Sequence, residues 1–168
     1  MVNLGKDFID KVIGKDVSNV VVHPTVLLSV VDHYNRVAKD TKKRVVGTLT
    51  GFYDQDVLQV TNCFALPFEE DLNDLDVWFF DHLYLEEMFT MMKRINGKEM
   101  IVGWYSTGKS IKKNDIQINE ITRRYNSNPV YCLINVQESD QIGLPTTTYM
   151  TKEEVDENGN LNRLFTHC

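Results

Sequence analysis

A chain of 168 residues, 42% hydrophobic and 25% charged, is long enough for one domain with a buried core and too short for two ordinary ones. Its net charge of −6 argues against a nucleic-acid or anionic-membrane surface as its main business. The basic clusters Lys42-Lys43-Arg44 and Lys112-Lys113 are too short to reverse that.

Residues 1–18 mix charged and apolar residues and read as a poorly ordered leader, with neither the apolar stretch of a signal peptide nor the length of a membrane span. NVVVH (Asn19 to His23) reads as a short strand. Pro24 then stands at a natural first-turn position, and TVLLSVVDHYNRVA runs at helical period. After a charged turn over 39–43, RVVGTLTGFYD (Arg44 to Asp54) and DVLQVTNCFALP (Asp56 to Pro67) read as two strands joined near Asp54-Gln55. The acidic stretch EEDLNDLD reads as a solvated loop, followed by VWFF and a helix over His82 to Ile95 that Gly97 ends.

MIVGWY (Met100 to Tyr105) is the next strand, breaking into the polar loop STGKSIKK. A helix NDIQINEITRRY follows, with Asn114 or Asp115 as its cap. VYCLINV (Val130 to Val136) is a buried strand, and the remainder reads as a hairpin turning at Asn158-Gly159. The pattern predicts an N-terminal extension over 1–18 and one domain over 19–168. Its class is α/β of the α+β type, a curved, largely antiparallel sheet flanked by helices.

Cys63, Cys132 and Cys168 are odd in number and far apart, and two lie in apolar strand-like runs, which reads as thiols in a reducing compartment, cytoplasm or nucleus. The two long helices carry more apolar surface than one core needs. After His82, the stripe Tyr84, Met88, Met91, Ile95 lies beside Leu85, Phe89 and Met92, a combined face of about 160°. Val26, Val30 and Val37 stand beside Leu27, Val31, Tyr34 and Ala38 in the same way. Methionine suits irregular or protein-binding surfaces.

The segments VVGTLTGFY, TNCFALPFEED, VWFFDHLYLEEM, IVGWYSTG, NDIQINE and IGLPTTTYM together, in this order, resemble the MPN domain over residues 19–168. Within that family the chain is most similar to the MPN subunits of the proteasome lid of the regulatory subunit 7 type. Active members of the family are zinc isopeptidases. Two histidines follow the Gly-Trp-Tyr strand end, an Asp opens the next helix, and a Glu early in the fold is the general base.

Laid onto this chain, the first His falls on Ser106, the hydroxyl residue between on Thr107 and the second His on Gly108. The Ser that supports the transition state falls on Lys112, and the base falls on Arg44. Only Asp115 is retained. The resemblance therefore implies no zinc, no other cofactor and no catalysis, because a permanently charged Arg repels a cation rather than activating its water.

Outside that motif, His23, His33, His82 and His167 read as structural or terminal, and Ser106 and Ser110 have no neighbouring His to activate them. Gly47, Gly51 and Gly103 read as close packing in strands, and Glu69-Glu70-Asp71 as part of a solvated loop. The expected role is therefore assembly. The resemblance implies a lid subunit that pairs with the active MPN deubiquitinase, through Leu27, Val31 and Tyr34 on one helix and Leu85, Met88, Phe89 and Met92 on the other. Other lid subunits would be met through a C-terminal helical region that this chain lacks. A silent MPN subunit of initiation factor three or the signalosome is the alternative, and the isolated domain is expected to be prone to self-association.

Overall fold

The computed structural model describes residues 19–136 and 146–167. The leader over 1–18, Cys168 and the first residues of IGLPTTTYM lie outside them. Strand β1 (Asn19–Val22) runs straight into helix α1 (Pro24–Val37), whose first-turn Pro24 has no backbone N–H to leave unsatisfied. Strands β2 (Val46–Asp54) and β3 (Val57–Leu66) form a hairpin whose turn holds Gln55 at φ 57°. A two-stranded ribbon follows, β4 (Phe68–Glu70) on β5 (Trp78–Phe80), so the first residues of the expected acidic loop are paired strand.

Asp81 caps helix α2 (His82–Ile95), its carboxylate accepting from the Tyr84 N–H at 3.0 Å. The helix ends on Asn96, in extended backbone at φ −141° with its N–H on the Met92 carbonyl. Gly97 is therefore not a left-handed terminator, contrary to expectation, since among the described residues only Gly108 and Gly159 are glycines with positive φ. Strand β6 (Met100–Thr107) runs two residues past the expected end. Helix α3 (Asp115–Thr122) and strands β7 (Val130–Ile134), β8 (Thr146–Val155) and β9 (Leu161–His167) complete the chain, the last two as the expected hairpin.

Seven strands form one sheet in the order β1-β3-β2-β6-β7-β8-β9. Four of its six pairings are antiparallel, β1–β3 and β6–β7 being the parallel ones. The α+β class with a largely antiparallel sheet thus stands.

Two irregularities flank the middle of β2. Thr50 faces Asn62 while Gly51 faces Val60, which leaves Thr61 extra on β3; Leu49 faces Gly103 while Thr50 faces Ile101, which leaves Val102 extra on β6. An extra residue switches the face to which the following side chains point. Leu58 and Val60 accordingly pack with Val26 and Val30 of α1, whereas Phe64 and Leu66, of the same parity, pack with Leu85 of α2. Consecutive Ile101 and Val102 divide the same way, so the helices cover opposite faces of the sheet.

Candidate functional site

The strand-to-loop junction after β6 is where the sequence pattern puts chemistry. Ser106 and Thr107 are still extended and buried there, and the loop begins only at Gly108, whose φ of +152° suits glycine. Thr107 is turned to β2, its hydroxyl accepting from the Val45 N–H at 3.1 Å. Gly108 donates its N–H to the Ile134 carbonyl and takes no part in the cluster below.

The side chain at the centre of the junction is Arg44. Its Nε and Nη2 donate to the two oxygens of Glu70 at 3.0 and 3.1 Å, Nη1 donates to Asp115 Oδ1 at 2.6 Å and to Ser106 Oγ at 3.0 Å, and Nη2 also donates to Asn114 Oδ1 at 3.0 Å. A guanidinium has five N–H donors, and these five bonds use all of them. Around it, Asp115 Oδ2 accepts from the Tyr131 hydroxyl at 2.7 Å and from the Lys112 N–H at 3.0 Å. Glu70 accepts from Lys112 Nζ at 3.3 Å and from Asn114 Nδ2 at 2.9 Å. Phe68 lies under the guanidinium carbon, 5.4 Å from its ring centre.

Two cations, Arg44 and Lys112, face two carboxylates, Glu70 and Asp115, so the buried cluster is neutral. Its pKa shifts follow from that balance. Burial alone would lower the Arg44 guanidinium, but the Asp115 and Glu70 charges outweigh it and hold the pKa above its ordinary value. Burial alone would raise Glu70; hydrogen bonds from Arg44 and Asn114 and the positive charges of Arg44 and Lys112 hold it below the ordinary carboxylate value. Burial, reinforced by the Asp115 charge, pushes Tyr131 well up and keeps its hydroxyl a donor.

This donor set does not fit a zinc ion. A metal would need neutral or anionic ligands around an open position, and here a guanidinium lies 2.6 Å from the one carboxylate that the active pattern shares. Among the described residues, no group of three or more His, Cys, Asp or Glu is placed to hold a metal. The geometry holds strands and helix in place instead. Arg44 ties the approach to β2 to β4, β6 and the start of α3, and Asp115 extends the tie to β7.

Arg44, Ser106, Lys112 and Asp115 are thus brought together as the sequence places them. Glu70 and Tyr131 were not foreseen. Glu70 corrects the reading of Glu69-Glu70-Asp71 as solvated: its side chain is 4% exposed, whereas that of Glu69 is 75% exposed. The signal was available in the alternation, since Glu70 shares a face with Phe68 once the segment is read as strand. Asn114 stands at the N-cap position of α3 as expected, yet its side chain makes no cap bond and serves Arg44 and Glu70.

The residues expected at a partner interface divide. Leu27 and Tyr34 pack against the α1-side core and Val31 is half-buried. Leu85, 2% exposed, is inside the domain with Phe64 and Ile101 and has no surface to offer a partner, which corrects that assignment. Met88, Phe89 and Met92 pack against the same cluster from its margin. The outward apolar residues are Leu83, Met91 and Ile95 on α2 and Leu28 and Val37 on α1. A hollow of about 350 Å³ lies by the end of β3 and the start of β4, lined by His33, Val37, Pro67, Phe68, Phe79 and Tyr84 among others.

The remaining histidines are structural where the structure describes their contacts. His33 Nδ1 lies 2.8 Å from the buried Tyr105 hydroxyl, and the ring of His82 stacks on Phe80. Burial pushes the Cys63 thiol up to about 11, a poor nucleophile at neutral pH. No described helix is long and apolar enough to cross a membrane.

Comparison with known proteins adds a separate line. Residues 15–128 match the family model described as JAB1/Mov34/MPN/PAD-1 ubiquitin protease. The chain is 54% identical over 140 residues to the 26S proteasome non-ATPase regulatory subunit 7 of Dictyostelium discoideum, covering 83% of this chain and 43% of that protein. It is 51% identical over 156 residues to homolog B of the same protein in Arabidopsis thaliana, covering 92% of this chain and 50% of the relative. A component of eukaryotic translation initiation factor 3 from Anopheles gambiae is 37% identical over 114 residues, 68% of this chain and 38% of that protein. The chain therefore spans half or less of the length of these relatives.

Proposed function

Because the chain belongs to the JAB1/Mov34/MPN/PAD-1 ubiquitin protease family, we propose that it is a non-catalytic structural subunit of the proteasome lid, which pairs with the lid's active MPN metallo-deubiquitinase and positions it. The observation that carries the catalytic half is Arg44. The position of the general base holds a cation whose five donors are all engaged, and the position of the first metal-binding His holds Ser106, hydrogen-bonded to that same cation. Such a group can neither take a proton from water nor tolerate a metal beside it.

The assembly half is supported by the lid-subunit relatives and by the apolar residues that α1 and α2 leave outside the domain, Leu28, Val37, Leu83, Met91 and Ile95. The hollow lined by His33, Val37, Pro67, Phe79 and Tyr84 gives a partner's apolar side chain a place to enter. The remainder of a longer protein of this type would meet other lid subunits, in cytoplasm and nucleus.

The test is affinity capture of the tagged protein from its source cells, beside a Met91→Asp variant. Wild type is expected to recover lid subunits with the active deubiquitinase; the variant, altered at an exposed residue, is expected to melt at the same temperature and lose the deubiquitinase. Recovery of initiation factor three or signalosome subunits would move the protein to another machine. Cleavage of a ubiquitin dimer by the purified chain with added Zn²⁺ would overturn the silent reading.

A further inference from the structure

The chain holds two Asn-Gly pairs, Asn96-Gly97 and Asn158-Gly159, and both asparagines are exposed. In such a pair the backbone nitrogen of the glycine can attack the side-chain amide carbon, with no Cβ in the way. The fold treats the two pairs differently.

Asn158 stands in the turn between β8 and β9. There the Gly159 N–H donates to the Asp156 carbonyl at 3.0 Å, so the attacking nitrogen is already engaged. The Asp156 carboxylate accepts from the N–H groups of Asn158 and Asn160 at 2.9 and 2.8 Å, and its own N–H donates to the Asn160 carbonyl at 2.9 Å. That turn is pinned.

Asn96 follows the last turn of α2, where its N–H still reaches the Met92 carbonyl, but the Gly97 N–H makes no hydrogen bond. The Lys98 N–H donates to Asn96 Oδ1 and the Glu99 N–H to the Asn96 carbonyl, both at a long 3.2 Å, and an exposed Lys93 ammonium donates to the Gly97 carbonyl at 3.1 Å. The attack needs Asn96 to turn about its ψ of 99°, and local opening at a helix end costs little.

We propose that Asn96 is a site of spontaneous covalent modification. The Gly97 nitrogen bonds to Asn96 Cγ and gives up its proton, and the side-chain nitrogen leaves as ammonia. Water then opens the cyclic imide at either carbonyl, leaving aspartate or its β-linked isomer. One water is consumed and one ammonia released, and no oxidant or reductant is needed. The product puts a carboxylate at the C-terminal end of α2, where the helix dipole is already negative, beside Ile95, which is 86% exposed. The inference goes beyond the lid reading and does not depend on it.

Peptide mass spectrometry of the chain aged in mildly alkaline buffer tests it. Asn96 is expected to convert about 5-fold faster than Asn158 or more, the factor for the one backbone hydrogen bond that only Gly159 must give up. In urea, where neither segment keeps its structure, the two rates are expected to converge. Gly97→Ala should leave the fold intact, since its Cβ would meet only the Lys93 carbonyl at 3.8 Å, and should slow conversion at Asn96 several-fold. Equal native rates at the two asparagines overturn the proposal. So does faster conversion at Asn158, or a rate at Asn96 that Gly97→Ala leaves unchanged. None of these outcomes bears on capture of the deubiquitinase, so the two readings fail separately.

Discussion

Arg44 is surrounded by groups that make sense only while it is charged and present. Replacing it with Met would leave Glu70 and Asp115 buried with one partly exposed Lys112 between them, and breaking a buried pair costs about 3–5 kcal/mol. Urea unfolding is expected to show that loss for Arg44→Met. Adding Glu70→Gln and Asp115→Asn should recover part of it, since the orphaned charges are then gone. A second titration belongs to His33. Burial, followed by the Arg36 charge and partly offset by Asp32, lowers it from 6.5 to about 4. Between those values the unfolded chain binds a proton that the native state refuses, so stability falls as pH falls through 6.5 toward 4, by up to about 1.4 kcal/mol per pH unit. Glu70, held below 4.5, adds its own loss only at lower pH. Urea midpoints measured between pH 7 and 4.5 should therefore decline in the wild type and flatten in His33→Gln. Of these residues, Arg44, Lys112 and Asp115 were legible because a spacing pattern names them together. Glu70 was not, because it is 26 positions from Arg44 and three acids in a row look like any solvated loop.

At the scale of the element, α2 shows what a helical pattern can and cannot tell. Its excess of apolar surface was legible, but the direction of that excess was not. The sheet borders the helix on one side and Ile121 and Tyr125 from α3 and its C-terminal end on another, so the domain itself takes Tyr84, Leu85, Met88, Phe89 and Met92. What remains outside is Leu83, Met91 and Ile95, the last 86% exposed. Leu85→Ala is accordingly expected to cost about 2–5 kcal/mol of stability. Met91→Ala should stay within about 0.5 kcal/mol. Thermal or urea unfolding of the two variants compares them directly, and equal losses would mean that the helix is rotated from the orientation described. The bulges of the sheet were equally hidden. Nothing in TLTGFYD or MIVGWY marks an extra residue opposite Thr50, yet those bulges decide that α1 and α2 lie on opposite faces. The glycines carry only part of that message: a Cβ on Gly51 or Gly103 would collide with the carbonyl of Gln59 or Val130, which explains why glycine stands there without revealing the register.

Across the whole molecule, the buried charge cluster and the sheet do different work. The middle of the sheet, β2-β6-β7, is buried on both faces by Leu49, Val102, Trp104, Tyr131 and Leu133, and meets the charge cluster only at its margin, through Ser106 and Tyr131. The β4–β5 ribbon and the start of α3 stand outside that sheet, and Arg44 with Glu70, Asn114 and Asp115 fastens them to it. Native-state hydrogen exchange separates the two contributions, because amides that open locally exchange at a lower free energy than those that need global unfolding. In the wild type the amides of Leu49, Trp104, Tyr131 and Leu133 are expected to exchange last, and those of edge strand β1 early. In Arg44→Met, protection should fall first at Trp78 and Ile118, whose segments lose their fastening, while the central amides drop only with the global stability. A uniform fall across all amides would instead mean that the cluster acts on the fold as one cooperative unit, with the ribbon and α3 unable to open by themselves. Arg44 would then act as part of the core.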